Sequence, residues 1–283
     1  MRILITGATG MLGVDVHAAA GAAGHEALAL PRAELDITDQ AAVDAALGAA
    51  RPEVVINCAA WTDVDGAEGD PQGALAVNGA GPGNLARSAA ACGAWTIHVS
   101  TDYVFDGSGR EPYLESDPTG PICAYGRSKL EGERAVARAA PAAHTIVRSS
   151  WLFGAGGPCF PATILRLAGE RAELSVVDDQ LGCPTFTGHL APALVELAGP
   201  ARVGGIVHVA GGGECSWYEL ARGIVDSAGL TCEVKPSRTA DLARPAPRPA
   251  YSVLGTERGA QAPRLPHWRE GLAAFLATGM PAA

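Results

Sequence analysis

"RILITGATGMLG", residues 2–13, is the stretch that decides the fold. Five mostly apolar, β-prone residues, Arg2 to Thr6, run directly into glycines at positions 7, 10 and 13. From Met11 to about Gly24 the residues favour a helix closed by a glycine stop. A strand before and a helix after is the context in which such glycines serve a dinucleotide. Gly7 permits the tight turn, Gly10 lets backbone approach a pyrophosphate, and Gly13 brings helix and strand together. The helix start then offers free N–H groups and partial positive charge to phosphates.

The same rhythm continues outward. Strand-like runs at 26–31, 53–59, 95–101 and 144–150 alternate with helical patterns at 40–50, 71–93 and around Tyr125. The strands are continuously apolar, which indicates a parallel sheet covered on both faces. The fold class expected is α/β, a Rossmann-like doubly wound parallel sheet with a smaller C-terminal substrate-binding lobe. After Trp151 the alternation weakens. We therefore expect residues 1–151 to form an NAD(P)-binding domain and 152–283 mainly the second lobe, with about 186–210 returning to the sheet. The Pro-rich "EVKPSRTADLARPAPRPAYSVL" reads as largely irregular, and a final helix is expected at about 266–278.

Composition narrows the function classes. The chain has 283 residues, 48% hydrophobic and 18% charged, enough for a core of ordinary size. A formal net charge of −9 argues against a nucleic-acid surface. Seven cysteines form no C-x-x-C, and no Cys/His cluster has zinc spacing, so buried reduced thiols and no metal are expected. The N-terminus enters a strand at once, without the regions of a signal peptide, and no apolar run is long enough for a membrane span. The expected location is cytoplasmic.

Three polar positions suggest chemistry. Tyr125 and Lys129 in "AYGRSKLEGE" stand four apart, so they share a helix face. An ammonium beside a phenol would lower the phenol's pKa, which suits a proton donor. Thr101 closes the fourth strand in "STDYVFDG", at the edge where open parallel sheets place ligands. Its hydroxyl could hydrogen-bond the carbonyl oxygen that Tyr125 protonates. After the second strand, "ALALPRAELD" puts Arg32 where an acidic ribose ligand often stands, with Asp36 and Ile37 further on. An arginine there can pair with a 2′-phosphate, which favours NADPH, with NADH the open alternative. Asp36 and Ile37 are then candidates for the adenine pocket.

With these motifs in place, the chain resembles the dTDP-4-dehydrorhamnose reductases, extended short-chain dehydrogenase/reductases. The resemblance rests on "ITGATGMLG", "AELDITD", "VINCAAWTDVDGAE", "STDYVFDG", "PICAYGRSKLEGE", "VRSSWLFG", "VVDDQLGCPT" and "RPAYSVL", spread along nearly the whole chain. It implies that Tyr125 donates the proton, that Lys129 holds the nicotinamide ribose and lowers the Tyr125 pKa, and that Thr101 completes the triad. It places Gly10, Met11 and Leu12 at the pyrophosphate, and Ala60, Trp61, Thr62 and Val99 along the cofactor cleft. Thr101, Asp102 and Trp151 would face the sugar nucleotide, with Val64 and Tyr103 beside them. The implied partner is a dTDP-linked 4-keto sugar; a homodimer is left open. His189 and Trp61 depart from the residues this family often has at those positions.

Two other functions compete with this one. A dehydratase needs a carboxylate pair just after Thr101, but Asp102 is followed by Tyr103. A non-catalytic nucleotide-binding subunit, of the kind that regulates methionine adenosyltransferase, would have no need of the complete Thr/Tyr/Lys set. Trp151 itself has two readings, an aromatic platform for the substrate or a core plug, and Trp217 and Tyr218 read most simply as core.

Overall fold

Six parallel strands form the central sheet of the computed structural model, which describes residues 1–279. The end of the expected second lobe, at 283, lies outside the described residues. In chain order the first half contains β1 (Arg2–Thr6), α1 (Met11–Ala22), β2 (Glu26–Leu30), α2 (Gln40–Ala50) and β3 (Val54–Asn57). It continues with α3 (Val64–Gly69), α4 (Pro71–Leu75), α5 (Gly81–Ala91), β4 (Trp95–Thr101), α6 (Ala124–Ala139) and β5 (His144–Ser149). After these come β6 (Leu152–Phe153), α7 (Phe160–Glu170), β7 (Glu173–Val177), β8 (Leu181–Gly182), β9 (Thr185–Phe186), α8 (Thr187–Leu197) and β10 (Gly205–His208). The described chain closes with β11 (Cys215–Ser216), α9 (Trp217–Ser227), β12 (Glu233–Ser237) and α10 (Trp268–Ala277).

The sheet order is β10-β5-β4-β3-β1-β2. The chain leaves β1 for β2 on one side and crosses back to β3 on the other, so a switch point lies between β1 and β3. Ligand clefts in open α/β sheets form outside the carboxyl ends of strands at such a point. Successive strand residues face opposite sides, which explains why the strands are apolar throughout. Ile3 and Ile5 pack with Val16 of α1 and Leu190 and Leu194 of α8, whereas Leu4 packs with Val43, Leu47 and Leu85 of α2 and α5. Both α8 and β10 thus return to the sheet from beyond Trp151.

A separate apolar core joins α7, α9 and α10 through Phe153, Ile164, Leu220, Ile224, Trp268 and Phe275. The helical pattern at 71–93 is α4 and α5 joined by a π-helical turn, Ala76–Ala80. "EVKPS" within the Pro-rich stretch is a strand rather than irregular chain. Among the described residues it pairs only with β7, so Pro236 sits where its missing N–H is tolerated. Five of the cysteines are buried, but Cys58 is half-buried and Cys92 exposed.

Candidate active site

A cleft of about 740 Å³ opens at the carboxyl ends of β1, β3, β4 and β5, closed on the far side by residues after Trp151. Every residue expected at the cofactor or the substrate lines it. Gly7, Gly10, Met11, Leu12 and Gly13 form its floor, and Arg32, Asp36 and Ile37 one end. Ala60, Trp61, Thr62, Val64 and Val99 line the middle, and Thr101, Asp102, Tyr103, Tyr125, Lys129 and Trp151 the other end.

The floor fits a pyrophosphate. Gly7 has φ +69°, and a Cβ there would lie 2.6 Å from the backbone nitrogen of Ala59. A Cβ on Gly13 would lie 2.2 Å from the Gly7 carbonyl oxygen, so only glycine lets α1 sit this close to β1. Gly10 is different: a Cβ there would meet only the Gly7 oxygen, at 3.4 Å, which leaves the space above it open. No side chain caps α1 at Gly10, so its first N–H groups are available to an anion. At the adenosine end, Arg32 Nη2 lies 3.6 Å from Asp36 Oδ2, both side chains exposed. Asp36 is itself held by the backbone N–H and hydroxyl of Thr38, which keep its carboxyl below the usual range.

The polar end is built by β4 and α6. Cys123 opens α6, its thiol accepting from the Gly126 N–H at 3.4 Å, which places Tyr125 in the first turn and Lys129 one turn on. Gly126 is required here, because a Cβ would come within 2.2 Å of the Tyr103 carbonyl oxygen. Lys129 is only 2% exposed, and its Nζ donates to the Val99 carbonyl oxygen at 2.7 Å. Burial pushes this ammonium down to about 8, opposed by the Glu133 carboxylate one turn further along. The Tyr125 ring lies edge-on to Tyr103, centroids 5.8 Å apart. Its phenol is pushed up, not down: burial dominates, nearby Asp102 adds to it, and a hydrogen bond with Thr101 only partly offsets them. This reverses the expectation that Lys129 lowers the Tyr125 pKa. The ammonium is engaged by the Val99 carbonyl and is not among the groups that shift the phenol, whose burial dominates.

Asp102 is 2% exposed and accepts two hydroxyl hydrogen bonds. Thr101 Oγ1 donates to Oδ1 at 2.9 Å and Ser252 Oγ donates to Oδ2 at 2.6 Å. Burial pushes the carboxyl up to about 7 in spite of both donors. Beneath Thr101, Tyr125 and Lys129, Glu133 receives both arms of Arg148, at 2.9 and 2.7 Å, and the Ser100 hydroxyl at 2.6 Å, which ties α6 to β4 and β5.

Several of these residues escaped the sequence reading. Glu133 carried a signal, since it stands four residues after Lys129. Asn78 did not: the π-helical turn directs it inward, where its side chain bonds Trp61 backbone and the Ser128 hydroxyl. Trp217, read as core, does pack against the second apolar core, but it also lines the cleft and stacks on Trp151, centroids 3.6 Å apart and planes 6° from parallel. Trp151 holds φ +48°, a strained conformation for a side chain of its size. The Trp217 stack and the Thr185 N–H bonded to its carbonyl oxygen at 3.2 Å fix it there. His98, in β4, is fully buried with Nδ1 3.0 Å from Asn57 Nδ2. His189, one of the departures, packs edge-on against Phe186.

The sequence profile of the RmlD substrate binding domain family matches residues 1–280. A dTDP-4-dehydrorhamnose reductase of Streptomyces griseus is 47% identical over 278 residues, covering 96% of this chain and 91% of the relative. A dTDP-4-keto-6-deoxy-D-glucose reductase of Streptomyces niveus is 42% identical, covering 96% of this chain and 95% of the relative. Among solved structures, a Bacillus anthracis dTDP-4-dehydrorhamnose reductase in complex with NADP superposes with a TM-score of 0.94 at 36% identity, covering 98% of this chain and 99% of that one. The chain with the glycine floor and the Thr101, Tyr125 and Lys129 cleft belongs to the RmlD substrate binding domain family.

Proposed function

We propose that this chain is an NADPH-dependent reductase of the C4 keto group of a dTDP-4-keto-6-deoxy sugar, converting dTDP-4-dehydrorhamnose to dTDP-L-rhamnose or forming a related deoxysugar. One observation carries the reading: Thr101, Tyr125 and Lys129 converge at the end of β4, in the same cleft as the glycine floor. NADPH, when bound, supplies the hydride for C4. Gly10, Met11 and Leu12 would hold its pyrophosphate, Arg32 its 2′-phosphate, and Lys129 its nicotinamide ribose. Tyr125 is the proton donor to the sugar oxygen. The burial that raises its pKa keeps the phenol protonated through neutral pH, as a donor must be. Trp151 and Trp217 offer a joint aromatic wall to the sugar nucleotide, with Val64 and Tyr103 alongside.

The segment after Trp151 acts as the substrate-side lobe. The three relatives described above are reductases by name and none is a regulatory subunit, so the non-catalytic alternative draws no support from them. No described helix is long and apolar enough to cross a membrane, and we place the reaction in the cytoplasm. The test is incubation with dTDP-4-keto-6-deoxy sugars and NADPH, following absorbance at 340 nm and identifying the product's C4 configuration by NMR. Absence of turnover with every such sugar would overturn the proposal.

A further inference from the structure

Ser252 lies 150 positions from Asp102 in sequence, yet its hydroxyl is 2.6 Å from Asp102 Oδ2. The serine is 1% exposed, and its backbone N–H is bonded to the Leu181 carbonyl oxygen at 2.8 Å, so the side chain is delivered from a fixed backbone. We propose that Ser252 is a positioning residue for the ketone reduction proposed above: it fixes the Asp102 carboxyl, and Asp102 in turn decides where the Thr101 hydroxyl sends its proton. The inference rests on that functional reading.

The geometry allows only a few arrangements of protons. A threonine hydroxyl has one proton and can accept elsewhere. Thr101 Oγ1 accepts from the Tyr103 N–H at 3.2 Å and lies 2.9 Å from Asp102 Oδ1. While Asp102 is ionised, the carboxylate can only accept, so it claims the Thr101 proton. Thr101 then has no proton for a ketone oxygen in the cleft. A protonated Asp102 can donate across the same contact, which frees the threonine proton to support the oxygen that Tyr125 protonates. Ser252 acts on this balance in two ways. It anchors Oδ2, which leaves Oδ1 directed at Thr101, and as a donor it favours the ionised carboxyl.

The groups facing Asp102, Lys129 apart, do not change charge near neutrality. Tyr103 beside it and Tyr125 from α6 are both pushed up by burial, and the Cys183 thiol, between β8 and β9, is pushed up to about 12. Arg248, beyond Tyr103, stays charged and is paired with Asp65. Lys129, on the same face of α6 as Tyr125, titrates about a unit higher, at about 8 against about 7 for Asp102.

The experiment uses the full chain labelled with 13Cγ-aspartate. The Asp102 resonance, identified by its loss in Asp102→Asn, should titrate near neutral pH. In Ser252→Ala it should titrate about one pH unit higher, the scale of one lost hydrogen bond to a charged group. Ser252→Thr, which keeps the hydroxyl, should restore the original value, and Ser252→Cys, a weaker donor, should fall between. With NADPH and the keto sugar, the fall of kcat/KM on raising pH through neutrality should move upward in parallel, with NADPH affinity unchanged. A resonance that does not move in a folded Ser252→Ala or Ser252→Cys chain would overturn the inference, as would failure of Ser252→Thr to restore it. The titration is read without turnover, so an unmutated chain that reduces no keto sugar would sink the functional reading separately.

Discussion

Replacing Lys129 with methionine should change how stability depends on pH, by an amount the structure sets. Lys129 is 2% exposed, and burial brings its pKa from 10.5 to about 8. At about 1.4 kcal/mol for each tenfold change in proton affinity, that is roughly 3 kcal/mol, a sizeable part of the ~5–15 kcal/mol that holds a domain together. The Val99 carbonyl and the Glu133 carboxylate recover part of the desolvation cost but not all of it. Below pH 8 the lysine is charged in both the folded and the unfolded chain, and the burial cost is fully present. Between 8 and 10.5 the folded chain gives up the proton first, so the unfolded state binds more protons and stability rises with pH. Methionine has no proton to lose. The difference in stability between the unmutated chain and Lys129→Met should therefore shift by roughly 3 kcal/mol in favour of the former between pH 7 and pH 11. Urea denaturation of both ligand-free proteins at matched pH measures it. Groups common to the two cancel, apart from Cys58, whose thiol feels Lys129 and titrates only at about 12. A difference that stays flat across the window would mean the ammonium is solvated, as on an ordinary helix face, and the account of this cleft would fail.

Other substitutions separate the roles. Tyr125→Phe should lower kcat by roughly 10²–10⁴-fold while the melting temperature and the NADPH Kd hold, and near-normal turnover would remove the phenol from the mechanism. Arg32→Ala should weaken NADPH binding by about tenfold and leave NADH nearly unaffected, as loss of a charge-assisted pair predicts. Equal affinity of the unmutated chain for both cofactors would show that Arg32 does not read the 2′-phosphate. Glu133→Gln strands a buried Arg148 and should cost about 3–5 kcal/mol of stability. Adding Arg148→Met should recover most of that loss in chemical denaturation, and a double variant no better than the single one would contradict the pairing.

The parts of the fold that are local in sequence were legible there. Strand period, the glycines at 7, 10 and 13 and the four-residue spacing of Tyr125 and Lys129 each act over one or two turns, so residue order alone carries them. What was missed depends on residues far apart in the chain. Trp217 starts an amphipathic helix and looks like a core residue, and nothing near it announces the Trp151 indole 66 positions earlier. The Tyr125 pKa went the wrong way because spacing shows a neighbouring charge but not the dielectric around it. Burial of the phenol and the Val99 carbonyl that engages Lys129 are tertiary facts. "EVKPS" hid its strand behind a proline that only an edge position tolerates. "RPAYSVL" stood out as a motif, but its use emerges only where it crosses the cleft. There Arg248 grips Asp65 with two bonds, at 2.6 and 2.8 Å, and Ser252 reaches Asp102.

The electrostatics of the cleft argue for chemistry independently of any relative. Lys129 and Asp102 each cost the fold stability at neutral pH, in opposite windows. For Asp102 the carboxyl rises from 3.8 to about 7, so the folded chain holds its proton longer than the unfolded one. Stability from this group is present below 3.8 and is lost as pH climbs towards 7. For Lys129 the loss is already in place at neutrality and is relieved only above 8. A leucine or methionine at either position would pack without these penalties; among the described residues neither group forms an ion pair, and the Glu133 carboxylate offsets only part of the Lys129 cost. Each instead bonds neutral partners, Lys129 a backbone carbonyl and Asp102 two hydroxyls. Groups that weaken the fold, titrate within a unit or so of neutrality and face a common cleft are placed for proton handling. Glu133 and Arg148, equally buried beneath them, do the opposite: their charges close on each other and hold α6 against the sheet. The cleft therefore has a paired layer that fixes α6 and, above it, an unpaired layer whose charges remain free to respond to a ligand.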